Sequence, residues 1–403
     1  MKSPILPILT ALLLVGTTGC RWGGQVEQQE VRVGTQKATL SAAQAKPMPF
    51  ASETANQLQQ MLENKVESMK LPGATLYLST SEGDWMGVAG KADLTAQAPL
   101  ESGDRFRVGN LTEIFLAIVT LQLDEEDVLD LDDPITRWLP ADLTQRIPDS
   151  SRITVKQLLN HTSGLPEPER DAFWEAVRAN PGKQWKPQEV LDYVLDDPQA
   201  WEDRPPSFFK NDFFYSHANY ILLGMIIERA TGTSLPNVIR SRISDRLKLK
   251  DTFLEQREKI PGGFVQGYQD WDKNGTTQSV TKPLINPAIG LGDTGIISTA
   301  PDLVRLFRGL FLKNDLLYET SVEKMLTPVD SNEGGYGLGV ARLPTAWGEG
   351  WGQINQTTGF SMVALYLPVH DLMLVTWTNT SDRNTEPVYE ITRRALRIVL
   401  GMP

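Results

Sequence analysis

Phe106-Arg-Val-Gly-Asn-Leu-Thr-Glu-Ile-Phe115 opens a strongly apolar segment that continues to Asp124. Apolar residues crowd every face of Thr112 to Asp124, as expected of a helix buried among other elements rather than lying on a surface. Before it, the spacing of Leu58, Met61, Leu62 and Val66 predicts a helix over Glu53 to Met69. Ala74 to Thr80 and Trp85 to Ala89 read as two strands joined by the polar turn Ser81-Glu82-Gly83-Asp84. After it come helical stretches at Val155 to Leu159, Asp171 to Arg178, Pro187 to Leu195 and Tyr220 to Thr231. The last third returns to strands at Gly337 to Leu343, Met362 to Leu367 and Leu372 to Thr378, and Glu386 to Leu400 closes the chain as an amphipathic helix. Strands at both ends around a helical middle predict an α+β fold: an antiparallel sheet covered by the terminal helices, with a helical insert over about 112–250. No internal repeat and no second linker interrupts residues 50–403, which read as one folded unit.

Composition narrows the chemistry. The 403 residues carry 50 acidic and 39 basic side chains, a formal net charge of −11, which argues against binding to nucleic acid phosphates. One cysteine cannot close an internal disulfide, and three histidines leave little material for a metal centre. Neither a metal nor a cofactor is expected, and catalysis would fall to Ser, Tyr, Lys and carboxylates.

Residues 1–20 read as an export signal. Lys2 is followed by the apolar stretch Ile5 to Val15, too short for a bilayer span of about 20 residues. Gly16-Thr17-Thr18-Gly19-Cys20 then resembles the lipobox of bacterial lipoproteins, which implies acylation at Cys20; Thr17 stands where that pattern usually has Leu. A plain secretory signal with an incidental cysteine is the other reading. Either way the protein is expected to be exported, and the lipobox reading holds it in the bacterial cell envelope, at the periplasm or cell surface, by a lipid anchor. Residues 21–49 are polar, Gln-rich and without period, the composition of a tether.

Several strings in order resemble one family. The opening stretch leads to Leu129-Asp-Leu-Asp-Asp-Pro134, Leu158-Leu-Asn-His-Thr-Ser-Gly-Leu165 and Phe214-Tyr-Ser-His-Ala-Asn-Tyr-Ile-Leu-Leu-Gly224. Gly295-Ile-Ile-Ser-Thr-Ala-Pro-Asp-Leu303, Tyr336-Gly-Leu-Gly339 and Thr358-Gly-Phe-Ser361 complete the series. Together they resemble the serine β-lactamase-like superfamily of class C β-lactamases, D-alanyl-D-alanine carboxypeptidases and esterases, over residues 53 to 400. That resemblance implies a Ser opening a helix as nucleophile, a Lys one turn later, a Tyr-x-Asn loop, and a Lys-Thr-Gly or His-x-Gly on an edge strand.

Carried over position by position, only a tyrosine survives. Ser-x-x-Lys falls on Asn110-Leu111-Thr112-Glu113, Tyr-x-Asn on Tyr215-Ser216-His217, and His-x-Gly on Gln353-Ile354-Asn355. An amide nitrogen does not form an acyl-enzyme, and losing the nucleophile alone removes a factor of roughly a million in rate. The resemblance therefore implies a cleft lined by Asn110, Glu113, Tyr215, His217, Gln353 and Asn355 that binds a small molecule, a peptide or an envelope protein without acylation.

Alternatives remain open at this level. Ser207 to Lys210, Ser279 to Lys282 and Ser321 to Lys324 also match Ser-x-x-Lys, though about one or two such matches arise by chance. Pro283 disfavours a helical Lys282, and Ser321 falls on an expected surface helix. A relocated nucleophile would make the chain a serine hydrolase after all. Glu113 and His217 are expected to pair, to receive a cationic group, or to activate a water; with a neighbour they are also the one trio that suits a metal. A bare envelope scaffold is the third reading. His161 reads as structural and His370 as a solvated turn residue.

Overall fold

The computed structural model describes residues 50–203, 212–281, 290–331 and 334–401. The export signal, the tether and Cys20 lie outside the described residues, as does Ser207.

The chain starts with helix α1 (Ser52–Ser68), followed by strands β1 (Gly73–Thr80), β2 (Gly83–Asp93), β3 (Ala98–Pro99) and β4 (Phe106–Arg107). The helical middle contains α2 (Thr112–Glu125), α3 (Ala141–Thr144), α4 (Val155–Leu159), α5 (Asp171–Ala179) and α6 (Pro187–Leu195). It continues with α7 (Pro198–Glu202), α8 (His217–Thr231), α9 (Leu235–Ile239) and α10 (Asp245–Leu247). Four short strands follow, β5 (Phe253–Leu254), β6 (Tyr268–Gln269), β7 (Gln278–Ser279) and β8 (Ile296–Ser298), then α11 (Ala300–Phe311) and α12 (Glu319–Met325). The chain ends with β9 (Ala341–Thr345), β10 (Gly348–Thr357), β11 (Phe360–Leu367), β12 (Leu372–Thr378) and α13 (Glu386–Leu400).

A seven-stranded sheet in the order β3-β2-β1-β12-β11-β10-β9 divides the molecule. The pairings of β1 with β2 and β12, and of β11 with β10 and β12, are all antiparallel. One face buries Leu76, Leu78, Leu365 and Leu374 with Leu58 and Leu62 of α1 and Ile391 and Leu396 of α13. Alternate residues of the same strands, Ala364, Met373, Val375 and Trp377, point the other way into a larger core shared with α2, α8 and α11. The sheet is thus sandwiched between the terminal helices and the helical insert, as the pattern of elements led one to expect. No helix among the described residues is long and apolar enough to cross a membrane.

Two local readings change. The expected strand over Gly337 to Leu343 begins only at Ala341, because Gly337 and Gly339 form a tight turn. Gly339 has φ +76°, and a Cβ there would come within 2.9 Å of the Glu113 carbonyl on α2, so the turn presses on that helix. Strand β10, Gly348-Glu-Gly-Trp-Gly-Gln-Ile-Asn-Gln-Thr357, carries no strand period in the sequence, and only the family resemblance at Gln353-Ile354-Asn355 implies a strand there. Its three glycines and polar residues hide the period-2 signal, and pairing with β9 and β11 makes it a strand.

Candidate active-site cleft

The mouth of α2 is fixed from two sides. Phe106 on β4 stacks on Trp377 of β12 with ring centroids 4.4 Å apart, which ties the approach to the sheet. Gly109 then turns the chain with φ +56°, and a Cβ at that position would lie 2.5 Å from Asn355 Oδ1. The Asn355 amide nitrogen donates to the Val108 carbonyl at 3.2 Å, so β10 grips the turn that presents Asn110. Thr112 is fully buried; its hydroxyl donates to the Gly109 carbonyl at 2.7 Å and accepts from the Ile296 N–H at 3.1 Å. It is a strut between α2 and β8 rather than a cleft group.

Glu113 is shut away from solvent at 0% exposure. Tyr215 donates to its Oε1 at 2.6 Å, Tyr336 donates to Oε2, and His161 Nε2 stands 3.4 Å from Oε2. His161 is itself fully buried and has φ +55°. Its Nδ1 accepts from the Asn219 amide at 3.1 Å and the Ser216 N–H at 3.4 Å, which assigns the ring proton to Nε2, facing Glu113. Gln353 on β10 extends the network by donating to the Tyr336 hydroxyl at 3.0 Å. Burial first, and the Glu113 charge second, raise the phenols of Tyr215 and Tyr336 well above the ordinary tyrosine value, so both stay protonated as donors. The Asn110 side-chain amide donates to Tyr215 and so joins the same network.

The expected Glu113–His217 pair does not form. Glu113 is taken by the two tyrosines and His161, and the carboxylate that holds His217 is Glu167. The reason is the start of α8. Ser216 caps that helix by accepting from the Ala218 N–H and donates to the Pro166 carbonyl at 2.8 Å, which draws Pro166-Glu-Pro-Glu169 across the helix end. Glu167 Oε2 then lies 3.0 Å from His217 Nδ1 and accepts from the His217 N–H at 3.0 Å. Glu169, His217 and Asp293 place their ligating atoms within 4.8 Å of one another, so the metal-capable trio is this one and not one around Glu113.

Electrostatics follow from that crowding. Burial pulls the His217 imidazole down, but Glu167 and then Glu169 outweigh it and hold it well above 6.5. Burial pushes Glu167 up, yet the His217 charge and hydrogen bonds leave it below the usual carboxylate range. Glu169, lacking such bonds, is pushed by burial up to about 7, and Asp293 up to about 8 despite the attraction of His217. Among the described residues no lysine or arginine pairs with these three carboxylates.

All six residues expected at the cleft therefore lie in one connected region. Asn110, Tyr215 and His217 are half-buried, while Glu113, Gln353 and Asn355 are buried. Tyr336, His161 as the partner of Glu113, Glu167, Glu169 and Asp293 were missed. Tyr336 stands in a family-like string that marks no role for it, and no local pattern marks Asp293 in Gly292-Asp-Thr-Gly295. Ser279 donates to Gln266 at 2.9 Å, and Ser321 on α12 is buried at 2% exposure, not on a surface. Among the described residues neither bonds to Tyr215 or to a lysine. His370 does sit in a turn, but its ring meets the Trp347 carbonyl at 2.9 Å instead of solvent alone.

A model of the Beta-lactamase family matches residues 58–398. The chain belongs to that family. It is 26% identical over 365 residues to Penicillin-binding protein 4* of Bacillus subtilis, covering 86% of this chain and 76% of that protein. It is 27% identical to Esterase EstB of Burkholderia gladioli over 57% of this chain and 59% of the esterase. Among solved structures, a D-stereospecific amidohydrolase from Streptomyces superposes with a TM-score of 0.71 at 30% identity, over 83% of this chain and 97% of that one. The D-amino acid amidase of Ochrobactrum anthropi superposes with a TM-score of 0.73 at 25% identity, over 86% and 99%. The β-lactamase fold and its serine-hydrolase type of architecture are thus this chain's own.

Proposed function

We propose that this β-lactamase-family chain is a non-acylating binding protein of the bacterial envelope, delivered by residues 1–20 and anchored through a lipid on Cys20. One observation carries the reading. At the mouth of α2 stand an amide, Asn110, tied to Tyr215, and a carboxylate, Glu113, consumed by Tyr215, Tyr336 and His161. Neither is a hydroxyl nucleophile with an adjacent base. The one hydroxyl of that turn, Thr112, is spent on the backbone.

The ligand that suits such a cleft is not an anion. Glu167 offsets the charge of His217, and Glu169 and Asp293 add no positive charge beside it, so a cationic or neutral small molecule, or a peptide carrying such a group, is favoured over a carboxylate.

The test is acylation of the purified full-length chain by a labelled β-lactam and by an activated fluorophosphonate, read by intact mass. We expect no adduct from either reagent. A stoichiometric adduct mapped to one serine would sink the reading and make the chain a serine hydrolase with a relocated nucleophile.

A further inference from the structure

Among the described residues of this region, Asn355 leaves one buried side-chain oxygen without a partner and Asp293 leaves both. Asp293 is 0% exposed, and among the described residues no side chain bonds to either of its carboxylate oxygens; only the backbone N–H groups of Asp293 and Thr294 in its own turn lie beside them. Buried polar atoms are paired in the great majority of cases, and an unpaired buried carboxyl is costly enough that it calls for a partner of another kind. Its position is not accidental slack. Gly292 has φ +119°, and a Cβ there would lie 2.5 Å from the Tyr220 carbonyl, so the turn carrying Asp293 is pressed flat against α8.

Two more donors meet it from separate segments. Glu169 comes from the Pro-Glu-Pro-Glu loop and His217 from the first turn of α8, and the three ligating atoms lie within 4.8 Å of one another. The histidine is oriented from behind: Nδ1 faces Glu167 Oε2 at 3.0 Å, which leaves Nε2 directed away from that carboxylate. Among the described residues the one contact of Nε2 at hydrogen-bond range is the Asn110 amide nitrogen at 3.5 Å, too long for a firm bond. A carboxylate behind an imidazole whose other nitrogen is left for a ligand is the usual second layer of a metal site, fixing tautomer and ring angle.

We propose that Glu169, His217 and Asp293 bind a divalent first-row transition cation, zinc foremost, with Glu167 as the positioning residue behind His217. The donor set decides the class of ion. One imidazole and two carboxylates suit zinc or manganese, whereas calcium and magnesium prefer oxygen-only shells. Ligands of a tetrahedral zinc stand roughly 3.3–3.5 Å apart, so closing from the present span asks for side-chain shifts of about 1 Å. Three protein ligands leave a coordination position for water or a bound molecule, on the side of Asn110. The site does not depend on whether the cleft acylates.

The experiment uses untagged, full-length protein stripped with chelator. Zinc chloride is titrated by calorimetry, retained metal is counted by mass spectrometry, and the cobalt(II) form is examined by visible absorption. We expect one zinc per chain, a raised melting temperature on addition of zinc, and a cobalt spectrum of low coordination number. Asp293→Asn and His217→Gln should each weaken zinc at least 100-fold, and Glu167→Gln roughly 10- to 100-fold with one metal still bound. Asp293→Asn is isosteric and replaces a buried carboxyl, its pKa pushed up to about 8, by a neutral amide, so it folds; the cobalt spectrum of the unmutated chain is a second readout that needs no variant. No retained zinc, equal affinity in Asp293→Asn and the parent, or preference for calcium or magnesium over zinc would each overturn the proposal.

Discussion

Glu113 and Asp293 are both shut off from water, and the phenol of Tyr215 feels the charge of both, yet their surroundings are opposites. Glu113 has two tyrosine hydroxyls and a histidine N–H aimed at its oxygens. Asp293 has no side-chain partner among the described residues, only the backbone N–H groups of its own turn beside it. A buried carboxylate with its full set of donors is part of the scaffold, because removing any member leaves the others unpaired. One without donors is held at a cost to stability, which makes it the better place to look for a ligand. Satisfaction rather than position tells the two apart.

The contrast can be broken most sharply at Glu113. Glu113→Gln replaces an acceptor by an amide that must face two hydroxyl donors, and it should cost about 3 kcal/mol of unfolding free energy. Urea denaturation followed by fluorescence measures it. A loss under about 1 kcal/mol would mean that the tyrosines find other acceptors and that Glu113 is no keystone.

At Asp293 the sign should reverse. In chelator-treated protein Asp293→Asn should raise stability by about 1 kcal/mol, since a neutral amide is cheaper to bury than an unpaired carboxyl. A destabilisation of the same size in the same denaturation assay would show that Asp293 has structural partners.

A third buried carboxylate offers the smallest and cleanest control. Burial pushes Asp133 up, but the Asp130 N–H, the Arg137 guanidinium and the Trp138 indole N–H outweigh it and hold its pKa below the usual value. A depressed folded pKa contributes stability that is present above the unfolded value of about 3.9 and fades as pH falls through the folded one. The stability difference between the parent and Asp133→Asn should therefore be flat above about pH 5 and shrink below about pH 4. A difference that grows on acidification would contradict that assignment.

Much of the fold is legible along the chain because its periodic elements are strong. Val155 to Leu159, Pro187 to Leu195, Leu372 to Thr378 and Glu386 to Leu400 coincide with α4, α6, β12 and α13. The elements that resist reading are those whose conformation comes from neighbours. Strand β10 is glycine-rich and polar, and Tyr336 to Val340 is a turn because Gly337 and Gly339 lie against other backbone. The cleft divides in the same way. Its six expected residues do gather, since a shared family pattern carries their positions. Their pairings were misjudged at Glu113 and His217, because Glu167 comes from a loop that only the Ser216–Pro166 bond draws across α8.

By itself the sequence determined the layered α+β architecture, the buried helix α2 and the residue types at its mouth, because hydrophobic period and local motif are properties of neighbouring residues. Only the tertiary structure decided which carboxylate is satisfied and which is not. Glu113 meets Tyr336, 223 positions away, and Asp293 meets Glu169 and His217 from segments with no common pattern. Hydrogen bonding and burial depend on groups brought together in space, and no local stretch of sequence records them.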